Sequence, residues 1–305
     1  MKKGAARCSL LVAMLVLLTA SVSSSAIYYK AKTTSSKKKT IIPTVFMHGY
    51  KGTFNSFGHM LNRLGYDYQD NNAAMRILVL TSGKLKVSGT LLPGDKGNSA
   101  IQVLFQDNRA SLAKQTDWLH KVMHYLRVKH NVENVNVVGH SMGGLALLSY
   151  LEDTPAKSKR YPKIHKFVAI ASPFEGIDKA DYFKLQKDPA AHDLKKGSDA
   201  LQALVKNKDK IPTDIKMLAI AGKQGKTDSD GLVRVDSVFF VKNIFPRINY
   251  QQRLVKGNNI THSGLHENLY VDRYTSQFLW NLPDGFHQNN KNSFQNGLKK
   301  KKISS

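Results

Sequence analysis

Cysteine is almost absent. The 305-residue sequence contains one, Cys8. It lies before the first apolar run rather than at its end, which argues against lipoprotein processing. Removing a leader that ends at Ala26 leaves no thiol, so disulfides, thiol catalysis and cysteine-ligated metals are excluded. Acidic residues are also scarce, with 22 Asp and Glu against 46 Lys and Arg, a formal net charge of +24. The chain lacks H-E-x-x-H, a P-loop and the dinucleotide-binding glycine pattern, so neither a metal nor an organic cofactor is expected. No helix-turn-helix, zinc-finger or paired-aromatic signature accompanies the positive charge, and nucleic acid is not an expected partner. No internal repeat is visible, which removes the repeat architectures.

What is present begins with a leader. Residues 1–26, MKKGAARCSLLVAMLVLLTASVSSSA, combine a basic start (Lys2, Lys3, Arg7), an apolar run from Leu10 to Leu18 and small residues up to Ala26. This is a signal-peptide pattern with cleavage after Ala26; the run is short for a bilayer span, so an uncleaved anchor is the weaker reading. A secreted or surface-held protein is expected. Residues 27–39 are polar and lysine-rich and read as a flexible linker. A folded domain follows over 40–283, and the low-complexity tail 284–305, with Lys299 to Lys302, reads as disordered. For an exported protein of this charge the expected anionic partners are cell-wall polymers or acidic lipid headgroups, held by screened attraction; the alternative is that the charge serves only solubility.

Within the domain, IIPTVFMHGY and AMRILVLTSG read as buried strands. Between them Phe57, Met60, Leu61 and Leu64 form one helical face that stops at Gly65. The stretch from Lys84 to Asn108 reads as two strands extending the sheet at one edge. Leu112, Trp118, Leu119, Val122, Met123 and Leu126 form a second helical stripe. KIHKFVAIASPFEG and IKMLAIAGKQG are further strands, and SQFLWNL reads as the core face of a final helix. Strands alternating with helices indicate an α/β class with a mainly parallel sheet. Residues 177–213, with apolar Leu194, Leu201 and Leu204, read as a small helical insertion able to cap a site.

The stretch NVNVVGHSMGGLALLSYL carries the chemistry. An apolar strand ends at Gly139, Gly139-His140-Ser141-Met142-Gly143 matches G-x-S-x-G, and a Leu/Ala-rich helix follows. Bare G-x-S-x-G is a weak pattern, but strand before and helix after supply the context in which it makes a strained turn exposing a serine nucleophile. A serine hydroxyl needs a base, and the base needs an orienting carboxylate. Downstream, AIAGKQGKTDSDGLV offers Asp228 and Asp230, and ITHSGLHENLYVDRYTSQFLW offers His262 and His266. The order Ser, acid, His suits an α/β-hydrolase.

HGYKGTFNSF, VVGHSMGG, SDGLV and THSGLHEN together resemble the lipase-like α/β-hydrolases found among surface and secreted proteins of Gram-positive bacteria, a family without an assigned substrate. The resemblance runs from about Thr40 to about Leu282. It implies the α/β-hydrolase fold and a Ser141–His262–Asp230 triad, with Asp228 and His266 as the alternatives. Asp230-Gly resembles the acid turn of lipase-like hydrolases, and His262, followed by Leu265 and Val271, matches the histidine ahead of the last helix in small lipases. His48-Gly49 closes an early strand where the matching hydrolase loop lies, so the Tyr50 and Met142 N–H groups are the expected oxyanion donors, with His48 and His140 as structural supports. One departure is Arg234, at a position often held by proline. The expected activity is hydrolysis of a small ester or lipid-like substrate through an acyl-enzyme; the alternatives are an amidase or peptidase using the same triad, and a non-catalytic surface protein that binds anionic wall polymers.

Overall fold

The computed structural model describes residues 42–66, 74–91, 99–155, 158–245 and 249–281. The segments expected as a leader (1–26), a linker (27–39) and a tail (284–305) lie outside the described residues. The chain divides into 1–39 and 40–305, and every described residue belongs to the second unit.

Among the described residues eight strands form one sheet. They are β1 (Thr44–Met47), β2 (Ala74–Val79), β3 (Leu85–Gly89), β4 (Ala100–Phe105), β5 (Asn134–His140), β6 (Lys163–Ile170), β7 (Lys216–Gln224) and β8 (Asn249–Gly257), in the order β3-β2-β4-β1-β5-β6-β7-β8. Only the β2–β3 pairing is antiparallel; the other neighbours run parallel. Helices cover both faces, which is why the central strands read as nearly continuous apolar runs. In β1, Val45 and Met47 enter the core beneath α2 (Leu112–His130) and α3 (Met142–Asp153). Phe46, between them, points the other way, into the core with α1 (Asn55–Arg63) and α8 (Leu269–Trp280).

Local chemistry sets the helix limits. The Ser111 side chain accepts the Lys114 N–H at the start of α2, satisfying one of the donors a helix leaves unpaired. Asn131, left-handed at φ 51°, ends that helix. The α2 stripe expected from the sequence is buried in full, as are Phe57, Met60 and Leu61 of α1, which stops before Gly65 at φ 88°. The 177–213 segment contains α4 (Ala180–Leu185), α5 (Pro189–Asp193), α6 (Asp199–Lys206) and a 3-10 turn at Lys208–Lys210, with Leu194, Leu201 and Leu204 buried. The last short helix is α7 (Val235–Phe239).

Three readings change. Only β3 of the Lys84–Asn108 pair lies at the sheet edge; β4 is interior, between β2 and β1, because its side chains are apolar or neutral and can be covered on both faces. The opposite edge strand, β8, carries no strand signal in its sequence, since NYQQRLVKG is mostly polar and shows no clean alternation. In α8 the core face is Val271, Thr275 and Leu279, while Phe278 and Trp280 are only half-buried.

Candidate active site

Three loops at the carboxyl ends of parallel strands converge here, as expected in an open α/β sheet. Ser141 follows β5 directly and stands at φ 53°, ψ −125°, a backbone region that L residues adopt only when their surroundings impose it. The Ser141 N–H donates to Ile170 O at 2.8 Å, tying the turn to β6. Close packing explains two of the glycines: a Cβ on Gly139 would fall 2.5 Å from Gly144 N, and one on Gly143 would fall 2.4 Å from Met47 O. Strand and helix meet backbone to backbone, and the serine is forced outward.

His262 opens a 3-10 turn at Ser263–Glu267. Its Nε2 lies 2.9 Å from Ser141 Oγ, and its Nδ1 lies 2.8 Å from Asp230 Oδ2. Asp230 follows β7 and is almost wholly buried. Its Oδ1 accepts the N–H groups of Leu232 at 3.0 Å and Val233 at 2.7 Å. The carboxylate is thus held from behind and offers its other oxygen to the imidazole.

The alternative residues lie elsewhere. Asp228 is exposed and pairs with Lys223 at 3.3 Å, while His266 pairs with Glu267 at 3.2 Å. Arg234, whose backbone bridges to Ser229, places its side chain in a forked contact with Asp236, 2.8 Å at its shortest.

Two buried histidines brace the loops. His140 Nε2 lies 3.0 Å from His262 O, an acceptor only, so that nitrogen carries a proton and donates. Burial, with His262 and His266 nearby, holds its pKa well below the usual range, and it stays neutral. His48 Nδ1 donates to Gly49 O at 2.8 Å, and its Nε2 accepts the Phe105 N–H at 3.1 Å. Both of its nitrogens are committed, and burial lowers its pKa too. Neither histidine is free to act as a base.

Gly49, Tyr50 and the start of α3 lie side by side: a Cβ on Gly49 would stand 3.4 Å from Met142 N. Met142 is the first residue of α3, so its N–H has no partner within the helix. The Tyr50 N–H makes no hydrogen bond among the described residues. Sequence reasoning missed what anchors Tyr50. Its hydroxyl donates to Asp188 Oδ2 at 2.5 Å, beside Gln186 Oε1 at 2.9 Å, and Arg109 Nη1 donates to the same carboxylate oxygen at 3.0 Å. Burial, then the Asp188 contact, raises the phenol pKa. Lys51 also donates to Gln186. The insertion reaches the acid loop as well, through Lys179 Nζ donating to Gly231 O at 2.9 Å. The only sequence signal for Asp188 was its place before Pro189, an N-cap pattern that says nothing of Tyr50.

A mainly parallel sheet that carries a serine on its strand-to-helix elbow, backed by an aligned histidine and aspartate, defines an α/β-hydrolase. The model of the family described as alpha/beta hydrolase of unknown function (DUF915) matches residues 31–282, and the chain belongs to that family. The chain is similar to the solved product of gene lin2722 from Listeria innocua, with 29% identity and a TM-score of 0.67 over 80% of this chain and 96% of that one. It is also similar to a Lactobacillus plantarum WCFS1 protein described as a candidate cell surface hydrolase, with 23% identity and a TM-score of 0.62 over 83% of this chain and 97% of that one. A comparison with curated proteins gave no match. Among the described residues no helix is long and apolar enough to cross a membrane.

Proposed function

We propose that the protein is an exported serine hydrolase that cleaves carboxylic esters of small or lipid-like substrates through an acyl-enzyme. The observation that carries this reading is the unbroken hydrogen-bonded line from Ser141 Oγ through His262 to Asp230 Oδ2. With Asp230 ionised, His262 Nδ1 keeps its proton and donates it to the carboxylate, so Nε2 has a free lone pair facing the serine. His262 takes the hydroxyl proton as Ser141 Oγ attacks the carbonyl carbon, and Asp230 stabilises the imidazolium that forms. The Tyr50 and Met142 N–H groups receive the oxyanion, a contribution of roughly 3 kcal/mol per donor in comparable sites. His262 then returns the proton to the leaving alcohol. A water, deprotonated by the same nitrogen, attacks the acyl-serine and frees the acid.

The insertion at 177–213 bears on the site from outside the triad. Its contacts with Tyr50 and Gly231 put it beside both the oxyanion loop and the acid loop, which supports its reading as a cap that shapes the acyl or alcohol subsite. Export rests on the leader pattern of residues 1–26. The test of the activity is turnover of short-chain nitrophenyl esters by wild type and by Ser141→Ala. The variant should fold normally, judged by circular dichroism and thermal midpoint, and lose at least about a thousandfold in kcat/KM; turnover within tenfold of wild type refutes the mechanism.

A further inference from the structure

A basic site lies away from the triad, where Lys166 and Lys216 pair across β6 and β7. Lys166, in β6, and Lys216, the first residue of β7, are direct cross-strand partners and so project from the same face. Like charges placed opposite one another in a sheet destabilise it. β8 adds Gln251 and Arg253. Together with Tyr274, midway along α8, and Asn281, which caps its carboxyl end, these residues line a cavity of about 230 Å³. Ser141 is tied to Ile170, four residues along β6 from Lys166; at ~3.3 Å per residue the cavity is about 13 Å from the nucleophile.

Lys166 is the built part of this site. Its side chain is buried, and Nζ donates to Phe278 O at 2.8 Å and Leu279 O at 2.7 Å, at the negative end of α8. Those bonds use two of its three protons. Burial, then the neighbouring Lys216, lowers its pKa. Among the described residues no carboxylate stands within 4.0 Å of Lys166, Lys216 or Arg253, although ion pairs are frequent elsewhere on the surface. Arg253 lies 5.8 Å from the centre of the Tyr274 ring, which leaves its guanidinium beside the cavity.

We propose that the Lys166–Lys216–Arg253 cavity is a binding site for the phosphate group of a phosphate ester. Three cations, Lys166, Lys216 and Arg253, interleaved with neutral amide and phenol donors, match an anion that accepts hydrogen bonds in several directions. The cavity leaves room for the carbons esterified to it. A soluble polyol phosphate and a phospholipid headgroup share this chemistry. The site does not depend on the catalytic reading, because it uses none of the same residues.

Calorimetric titration of the full chain with glycerol 3-phosphate tests the proposal. A control is essential, because a chain of this charge attracts anions everywhere. The Lys216→Gln/Arg253→Gln double variant should weaken binding at least tenfold. The charge-matched Lys86→Gln/Lys129→Gln variant, altered at two exposed lysines outside the cavity, should stay within twofold of wild type. Thermal midpoints check that both variants fold. Sedimentation with phosphatidylglycerol vesicles then identifies the source: loss of vesicle binding in the cavity variant alone assigns a lipid headgroup, and retained vesicle binding assigns a soluble ester. Equal losses in the two variants, or no saturable binding by wild type, overturns the proposal.

Discussion

Replacing Asp230 by asparagine should reverse the proton arrangement of the site while leaving its heavy atoms in place. Asp230 Oδ1 accepts two backbone N–H groups, from Leu232 and Val233. An asparagine must keep its carbonyl oxygen there, since turning its NH2 toward two donors would forfeit both bonds, each worth about 1 kcal/mol, and leave buried groups unpaired. Its NH2 therefore faces His262 Nδ1. That nitrogen must then accept, so the ring proton moves to Nε2, 2.9 Å from Ser141 Oγ. The imidazole presents a donor where the reaction needs a base. The same tautomer reversal in serine-protease triads costs ~10⁴ in kcat, equivalent to about 5.5 kcal/mol of barrier. Steady-state hydrolysis of a nitrophenyl ester reads the effect, with Asp228→Asn as the control, expected to stay within twofold of wild type. A loss below tenfold in Asp230→Asn, or an equal loss in Asp228→Asn, refutes the assignment of the acid.

Gly143→Ala tests the elbow's packing: its Cβ would meet Met47 O at 2.4 Å and His48 O at 2.6 Å, both backbone atoms that cannot swing aside, so denaturant unfolding should show a loss of about 3 kcal/mol or more. Glu152, buried in α3 with Oε1 lacking a hydrogen bond among the described residues, has its carboxyl pushed up to about 9, first by burial and then by Asp153. The folded state therefore holds a proton that the unfolded chain releases above its ordinary value of 4.5. This contribution is fully present at lower pH and is lost as pH rises toward 9, by up to about 1.4 kcal/mol per pH unit. Glu152→Gln should flatten that part of the stability profile, measured by urea unfolding between pH 5 and about 9; an unchanged slope contradicts the assignment.

Periodicity made much of the fold legible, because apolar residues at helical or strand spacing mark buried faces whatever lies against them. The stripe from Leu112 to Leu126 and the run at Val135–Val138 are of that kind. Register and neighbours were less legible. Nothing in AIQVLF says that β4 enters between β2 and β1, and the polar composition of β8 hid an edge strand that needs only one good pairing partner. At the site, the elbow pattern singled out Ser141, chain order narrowed its partners to Asp228 or Asp230 and His262 or His266, and the family resemblance chose Asp230 and His262, the pair hydrogen-bonded in line with the serine. The Asp188–Tyr50 clamp was invisible, because the two residues are 138 positions apart and carry no shared motif. The Lys166–Lys216–Arg253 cavity was hidden for the same reason. Its cations come from three strands, and in sequence each is one basic residue among many.

The most direct measurement is labelling of the folded protein with a fluorophosphonate probe, followed by peptide mass spectrometry. An activated serine displaces fluoride and keeps the phosphonyl group, whereas an ordinary hydroxyl reacts negligibly. The expected result is a single adduct on the peptide bearing Ser141, abolished by Ser141→Ala and by heat denaturation. Absence of an adduct on the folded wild-type chain, or labelling that survives Ser141→Ala, would contradict the serine-hydrolase reading.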